Sequence, residues 1–163
     1  MRNIREEDID AVLAINQLAM PGVTSLDAKT LREFMNEGIY FKVAQYNDFV
    51  QGYLCAFESH SAYEGDEFRW FQTNMAENFI YIDQVAVHPQ YRDRGMAESM
   101  YKDLENYALT RKIHILVCEV NFIPRNAVSL SFHKKLGFRE IGRMQVRGIT
   151  VSLMQNTMHN PDG

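Results

Sequence analysis

The chain has little of what several protein classes depend on. Of its 163 residues only Cys55 and Cys118 are cysteine, and each sits inside an apolar, strand-like run. A disulfide scaffold is disfavoured, and two buried free thiols in a reducing compartment are the expectation. His60, His88, His114, His133 and His159 form no HxH or HxxxH pair, and no Cys/His spacing marks a metal site. No apolar run approaches the ~20 residues of a membrane span. The opening residues, MRNIREEDID, carry charges where a signal peptide would have its apolar core. The expectation is a cytoplasmic protein without a membrane partner. Positive charge is also short. With 17 basic against 21 acidic residues the net charge is −4, which disfavours a nucleic-acid partner. A Walker lysine and a full GxGxxG are missing, which counts against a nucleotide binder.

What is present suits one domain over 1–163, with 46% hydrophobic and 23% charged residues and no repeat, linker or low-complexity tract. Asn3 to Arg5 reads as a short strand. Glu6 to Met20 reads as a helix, stopped by Pro21-Gly22. A second helix, capped by Ser25 or Asp27, ends at Gly38. Ile39 to Gln45 and Val50 to Phe57 pattern as an antiparallel hairpin. Glu58 to Asn78 is expected to be a long loop without clear periodicity; its density of aromatics argues against disorder. Phe79 to Val87 is an apolar strand, and Met96 to Thr110 a helix with Met100, Tyr101, Leu104 and Ala108 on its buried face. Ile113 to Val120 completes a βαβ unit, so the strands on either side of that helix should be parallel. A short helix to Leu136 follows. A hairpin, Phe138 to Val146 and Ile149 to Gln155, closes over Arg147-Gly148, and the tail 156–163 is expected to be loose.

The densest signal lies between Phe79 and Tyr101. A strand runs into His88-Pro89, then a basic loop, then a helix N-terminus. Free N–H groups and the positive end of the helix both face that loop, which makes an anion cradle. Arg92 and Arg94 add a preference for phosphate.

At Arg92-x-x-Gly95-x-Ala97 the sequence resembles the GNAT-type N-acetyltransferase superfamily, whose cofactor loop has the form Q/R-x-x-G-x-G/A. Val85-Ala86-Val87-His88-Pro89 precedes it, and Asn126, Ser129 and Lys135-Leu136-Gly137-Phe138 resemble the family's N-x-x-A/S…LGF segment. The resemblance implies an α/β (α+β mixed) fold. Its mixed sheet of six to seven strands is splayed between strands 4 and 5 and flanked by about four helices. It implies acetyl-CoA as cofactor and a small-molecule or peptide amine as acceptor; monomer and homodimer both stay open.

The same resemblance distributes roles. The backbone of Arg92, Asp93, Arg94, Gly95, Met96, Ala97 and Glu98 would hold the pyrophosphate. The main chain of Val85, Ala86 and Val87 would pair with the pantetheine arm as an added strand and offer an N–H to the thioester oxygen. Asn126 and Ser129 would touch the CoA arm, with Asn126 also a good N-cap. Direct attack needs a neutral amine, and Asp83 is the first candidate base, placed by alternation on the face of Tyr81, Val85 and Val87. A structural carboxylate is the other reading, and Glu119 is the reserve. His133 stands where many members carry a tyrosine placed to protonate the leaving thiolate; it is open as an acid or as a residue that only binds. The acceptor side falls on Pro21 to Asp27 and on the 58–78 segment, with Glu58, His60, Tyr63, Trp70 and Tyr81 as candidate lining. A silent acyl-CoA-binding module is the competing function.

Overall fold

The computed structural model describes residues 1–38 and 40–159. Seven strands form one sheet, in order β1-β2-β3-β4-β5-β7-β6. They are β1 (Arg2–Asn3), β2 (Tyr40–Tyr46), β3 (Phe49–Glu58), β4 (Ile80–Val87), β5 (Ile115–Ile123), β6 (Arg139–Val146) and β7 (Ile149–Thr157). Among the described residues only β4 and β5 pair in parallel, and every other pair is antiparallel. The helices are α1 (Ile9–Ala19), α2 (Ala28–Glu37), α3 (Asp66–Asn74), α4 (Met96–Thr110) and α5 (Ala127–Lys135). None of the described helices is long and apolar enough to cross a membrane.

The sheet separates two cores. On one face α1, α2 and α3 cover Phe41, Tyr53, Phe57, Tyr81, Val117 and Leu153. On the other, α4 and α5 cover Leu54, Ile80, Ile82, Leu116 and Met154. Strands covered on both faces lose their alternation of polar and apolar residues, as β3 and β4 do here.

The local chemistry explains the element boundaries. Asp27, not Ser25, caps α2, its Oδ1 accepting from the Thr30 N–H at 2.7 Å. The first helix begins later than expected, because Glu6–Asp8 forms a 3₁₀ turn before α1. Asn47 and Asp48 both have positive φ, as do Arg147 and Gly148, so both hairpins turn tightly in the sense that suits strand twist. The strand expected from Ile39 is described from Tyr40; Ile39 lies outside the described residues.

Three expectations need correcting. The 58–78 segment is not a bare loop: it carries α3, which buries Phe68 and Phe71 one turn apart. β5 continues past Val120 to Ile123, because β7 pairs with it that far. The tail is not loose from Asn156: Asn156 is buried in β7, donates to the Leu136 carbonyl at 3.1 Å, and the Met158 N–H reaches His114 at 2.7 Å. Residues 160–163 lie outside the described residues.

Trp70 on α3 rests on β6 at Gly142, where even a Cβ would come within 3.0 Å of the indole. Trp70 is the sole tryptophan. Gly142→Val should therefore cost about 1–3 kcal/mol by overpacking, and shift tryptophan emission to the red as the ring is lifted. An unchanged emission spectrum would count against this seat for α3.

Candidate active site

β4 and β5 pair through two couples only, Ile80↔Leu116 and Tyr81↔Val117. Beyond them the strands part. One edge of Val85, Ala86 and Val87 stays bonded to β3, through Leu54, Tyr53 and Gly52. The other edge has no strand beside it among the described residues; apart from the Val87 carbonyl, which accepts from Arg92 Nε, it is open to an extended partner.

At the open end of β4 the chain turns over Pro89–Tyr91 and enters α4. Asp93 and Gly95 both have positive φ, at 60° and 75°. Such alternation curls successive N–H groups inward into an anion-binding concavity. No side chain caps α4, so the first-turn N–H groups of Met96, Ala97 and Glu98 face that concavity unspent. A Cβ on Gly95 would meet nothing within 4 Å, so glycine is required here by its backbone conformation, not by crowding. Arg92 turns back and donates from Nε to the Val87 carbonyl at 3.0 Å, locking the turn. Arg94 stacks on the Tyr91 ring at 5.8 Å. A cleft of about 360 Å³ runs from Gly95 along Glu98 and Lys102 to Leu136.

Asp83 sits where β4 bulges: Cys55 pairs with Gln84 and Ala56 with Ile82, leaving Asp83 without a partner on β3. A bulge re-aims side chains, and this one breaks the expected alternation. Asp83 and Gln84 both turn toward the α1–α3 side, bonding Tyr63 and Asn16, while Val85 packs with the α4 core. The expectation that Asp83 shares a face with Val85 and Val87 is thus corrected; it shares one with Tyr81.

The Tyr63 hydroxyl donates to Asp83 Oδ1 at 2.5 Å. Burial raises the Asp83 carboxyl to about 6, with Glu67 adding to the rise while Tyr63 and Arg147 oppose it. Across the parted strands stands Glu119, two residues beyond Val117 as Asp83 is two beyond Tyr81. Burial pushes Glu119 well above the usual carboxylate range, and the Glu67 and Asp83 charges push it further. Its Oε2 is buried with no hydrogen-bond partner among the described residues. Glu67, on α3, is itself buried and accepts from Arg147 Nη2 at 2.6 Å. Three acidic side chains from three elements thus influence one another electrostatically, and the Arg147 guanidinium, from the β6–β7 turn, is bonded to one of them, Glu67.

The remaining candidates are placed as follows. Asn126 caps α5, accepting from the Ser129 N–H at 3.1 Å. His133 is 4% exposed. Its Nδ1 lies 2.8 Å from the Ser129 carbonyl, which can only accept, so Nδ1 carries the proton; Nε2 then accepts from the Tyr101 hydroxyl at 2.6 Å. Burial lowers its pKa, in keeping with a neutral ring. Tyr63 and Tyr81 stand beside the carboxylates. Glu58 does not: it lies on the α4 face, paired with Arg111. His60 bonds Asn78 at 2.7 Å, at the start of β4, and Trp70 is taken up by its seat on Gly142.

The sequence reading had no signal for Gln84, Asn16, Glu67, Arg147 or Tyr101 as parts of this region. Each acts through a partner far along the chain, and periodicity reports only local neighbours.

Residues 9–138 match the model of the acetyltransferase (GNAT) family, and the chain belongs to that family. It is an acyltransferase, and acetyl-CoA is its cofactor. No curated protein sequence matches the chain. Among solved structures, a ribosomal-protein-alanine N-acetyltransferase from Brucella melitensis is 23% identical with a TM-score of 0.72, over 96% of this chain and 98% of that one. Naa50 of Arabidopsis thaliana, in complex with the bisubstrate analogue CoA-Ac-MVNAL, is 15% identical with a TM-score of 0.73, over 96% and 97%. The protein yncA of Salmonella typhimurium, with its cofactor acetyl-CoA, is 20% identical with a TM-score of 0.72, over 98% and 93%. At these identities the likeness is one of fold.

A β-branched side chain at the positive φ of Gly95 is strained by ~1–3 kcal/mol, and relief would flatten the concavity. Gly95→Val should weaken CoA binding roughly tenfold or more while the protein stays folded. Unchanged affinity by titration calorimetry would remove this loop from the cofactor site.

Proposed function

We propose that this chain transfers the acetyl group of acetyl-CoA to the primary amine of a small molecule or peptide, the amine attacking the thioester directly. The observation that carries this reading is the pair Asp83 and Glu119, level with one another where β4 and β5 have just parted. Two carboxyls with raised proton affinity stand beside an unpaired strand edge.

Bound acetyl-CoA supplies a thioester carbonyl as electrophile. The residues around the α4 N-terminus fit its pyrophosphate: two left-handed positions and an uncapped first turn need an anion. The edge of Val85 to Val87 turned away from β3 has no strand beside it among the described residues and fits an amide-bearing arm, and an N–H on it can face the carbonyl oxygen. Asn126 and Ser129 lie on the first turn of α5, where a polar arm could be met.

An alkylamine with pKa ~10.4 arrives protonated at neutral pH. Asp83, mostly ionised above about 6, attracts the ammonium and takes one proton. Tyr63 orients its Oδ1. Burial holds the Glu119 carboxyl well above the usual carboxylate range, which favours its neutral form and limits the negative charge in the slot. Tyr81 and Tyr63 give the slot aromatic walls that suit a cation. His133 has both ring nitrogens engaged, so in this reading it holds α5 against α4 and the thiolate leaves without it. A thiolate with pKa near ~8.5 needs little help. The names of the Brucella enzyme and of the Arabidopsis complex support a peptide amine over other acceptors.

Thiol release from acetyl-CoA over a panel of free amino acids, polyamines, lysine peptides and peptides with free N-termini tests the function. Binding of CoA with no release over the whole panel would overturn it.

Asp83→Asn should slow turnover most between pH 6 and 8, with the gap to wild type narrowing as pH nears the pKa of the amine. A ratio flat with pH would make Asp83 structural. The same substitution reads out in stability. A carboxyl raised in the folded state penalises folding above its folded pKa and not below its unfolded one. The variant should therefore melt higher than wild type at pH 7.5, and the gain should fade as pH drops from 6 toward 4.

A further inference from the structure

One buried polar network lies outside the roles assigned so far. Asn16, on α1, is 0% exposed, Tyr53, on β3, 0% and Gln84, on β4, 3%. Gln84 Oε1 accepts from the Tyr53 hydroxyl at 2.7 Å and from Asn16 Nδ2 at 3.0 Å, and Gln84 Nε2 donates to the Thr24 carbonyl at 2.8 Å. Asn16 Nδ2 also lies 2.9 Å from that carbonyl, while Asn16 Oδ1 accepts from the Leu26 N–H at 2.9 Å. The α1–α2 connection is therefore held at Thr24 and Leu26 by a strand and a helix at once.

The other end of this connection reaches across the parted strands. The Pro21 carbonyl accepts from Asn121 Nδ2, on β5, at 3.4 Å. A Cβ on Gly22 would lie 3.6 Å from Asn126 Nδ2, at the head of α5. Gln84 and Asn121 belong to strands that no longer pair with each other. The segment from Pro21 to Thr24 thus spans the gap on the face where Asp83 points. Its fixed end is held by the buried side chains of Asn16 and Gln84; its far end meets β5 through one long, exposed bond.

We infer that Asn16, Tyr53 and Gln84 are positioning residues that set the acceptor wall of the site. Gln84 follows Asp83 in the same bulge, so one distortion of β4 aims the candidate base and anchors the wall opposite it. The distance between base and wall is then fixed by adjacent residues on one strand, and it decides how large a group beside the amine fits. The cofactor loop at Arg92–Gly95 has no part in the network. This inference rests on the proposed amine transfer and deepens it: acceptor size is discriminated through Gln84.

The test compares wild type with Gln84→Met, which keeps the volume and loses the bonds, and with Tyr53→Phe, which deletes a donor to Gln84 and an acceptor for Asn16 and leaves the Thr24 bonds. The probes are n-butylamine and a hexapeptide with N-terminal alanine. CoA affinity should stay within about twofold in both variants. The ratio of kcat/KM for the two probes should shift by about tenfold in Gln84→Met, carried by KM, and by a smaller factor in the same direction in Tyr53→Phe. If Gln84→Met does not fold, the Tyr53→Phe shift decides alone. A ratio unchanged within about twofold, with both rates falling together, overturns the inference and leaves amine transfer standing. Wild-type protein that binds CoA and acetylates no amine of the wider panel overturns the transfer reading, and this inference with it.

Discussion

The parting of β4 from β5 is the constraint on which the rest depends. Two parallel strands pair for two residues and then leave each other. Buried backbone groups must find partners, so an opened strand edge inside a protein is unstable unless something fills it. Other features gather around this gap. The α1–α2 connection spans it, α5 is capped beside it, and two carboxyls with raised proton affinity face it. β3 holds one side of β4 and β7 holds β5 out to Ile123, so the two halves of the sheet stay rigid while diverging.

Elements with strong local chemistry were legible in the sequence. Helix α4 is bounded as its apolar spacing suggests, from Met96 to Thr110, and Asn126 caps α5. The parallel pairing of β4 and β5 follows from a crossover helix and the handedness of such units. The seven-stranded sheet agrees with what the family resemblance implies. Helix α3 was not legible, because nine residues give only two buried aromatics one turn apart, and Trp70 and Tyr63 blur the stripe.

The site was legible where it depends on backbone conformation and illegible where it depends on long-range pairing. Gly95 announces its left-handed turn by being glycine. Asp83 announces itself as an acid in an apolar strand. Nothing local announces that a bulge turns it away from Val85, since a bulge is decided by the register of the neighbouring strand. The partnership of Tyr101 with His133 joins residues 32 apart, and that of Glu67 with Arg147 residues 80 apart. Seen alone, His133 is a titratable group in a motif; seen with Tyr101 and Ser129, it is a neutral core side chain.

The two cores on opposite faces of the sheet have a kinetic meaning. They share no side chain, and the parted strands are the opening between them. The cleft beside α4 lies on one side, and the Asp83 carboxylate points to the other. A donor and an acceptor lodged in these two places do not block each other's doorway. Under the transfer proposed above, neither has to depart before the other enters. Under that proposal the architecture suits a ternary complex rather than a shuttle, which would read as initial-rate lines that intersect.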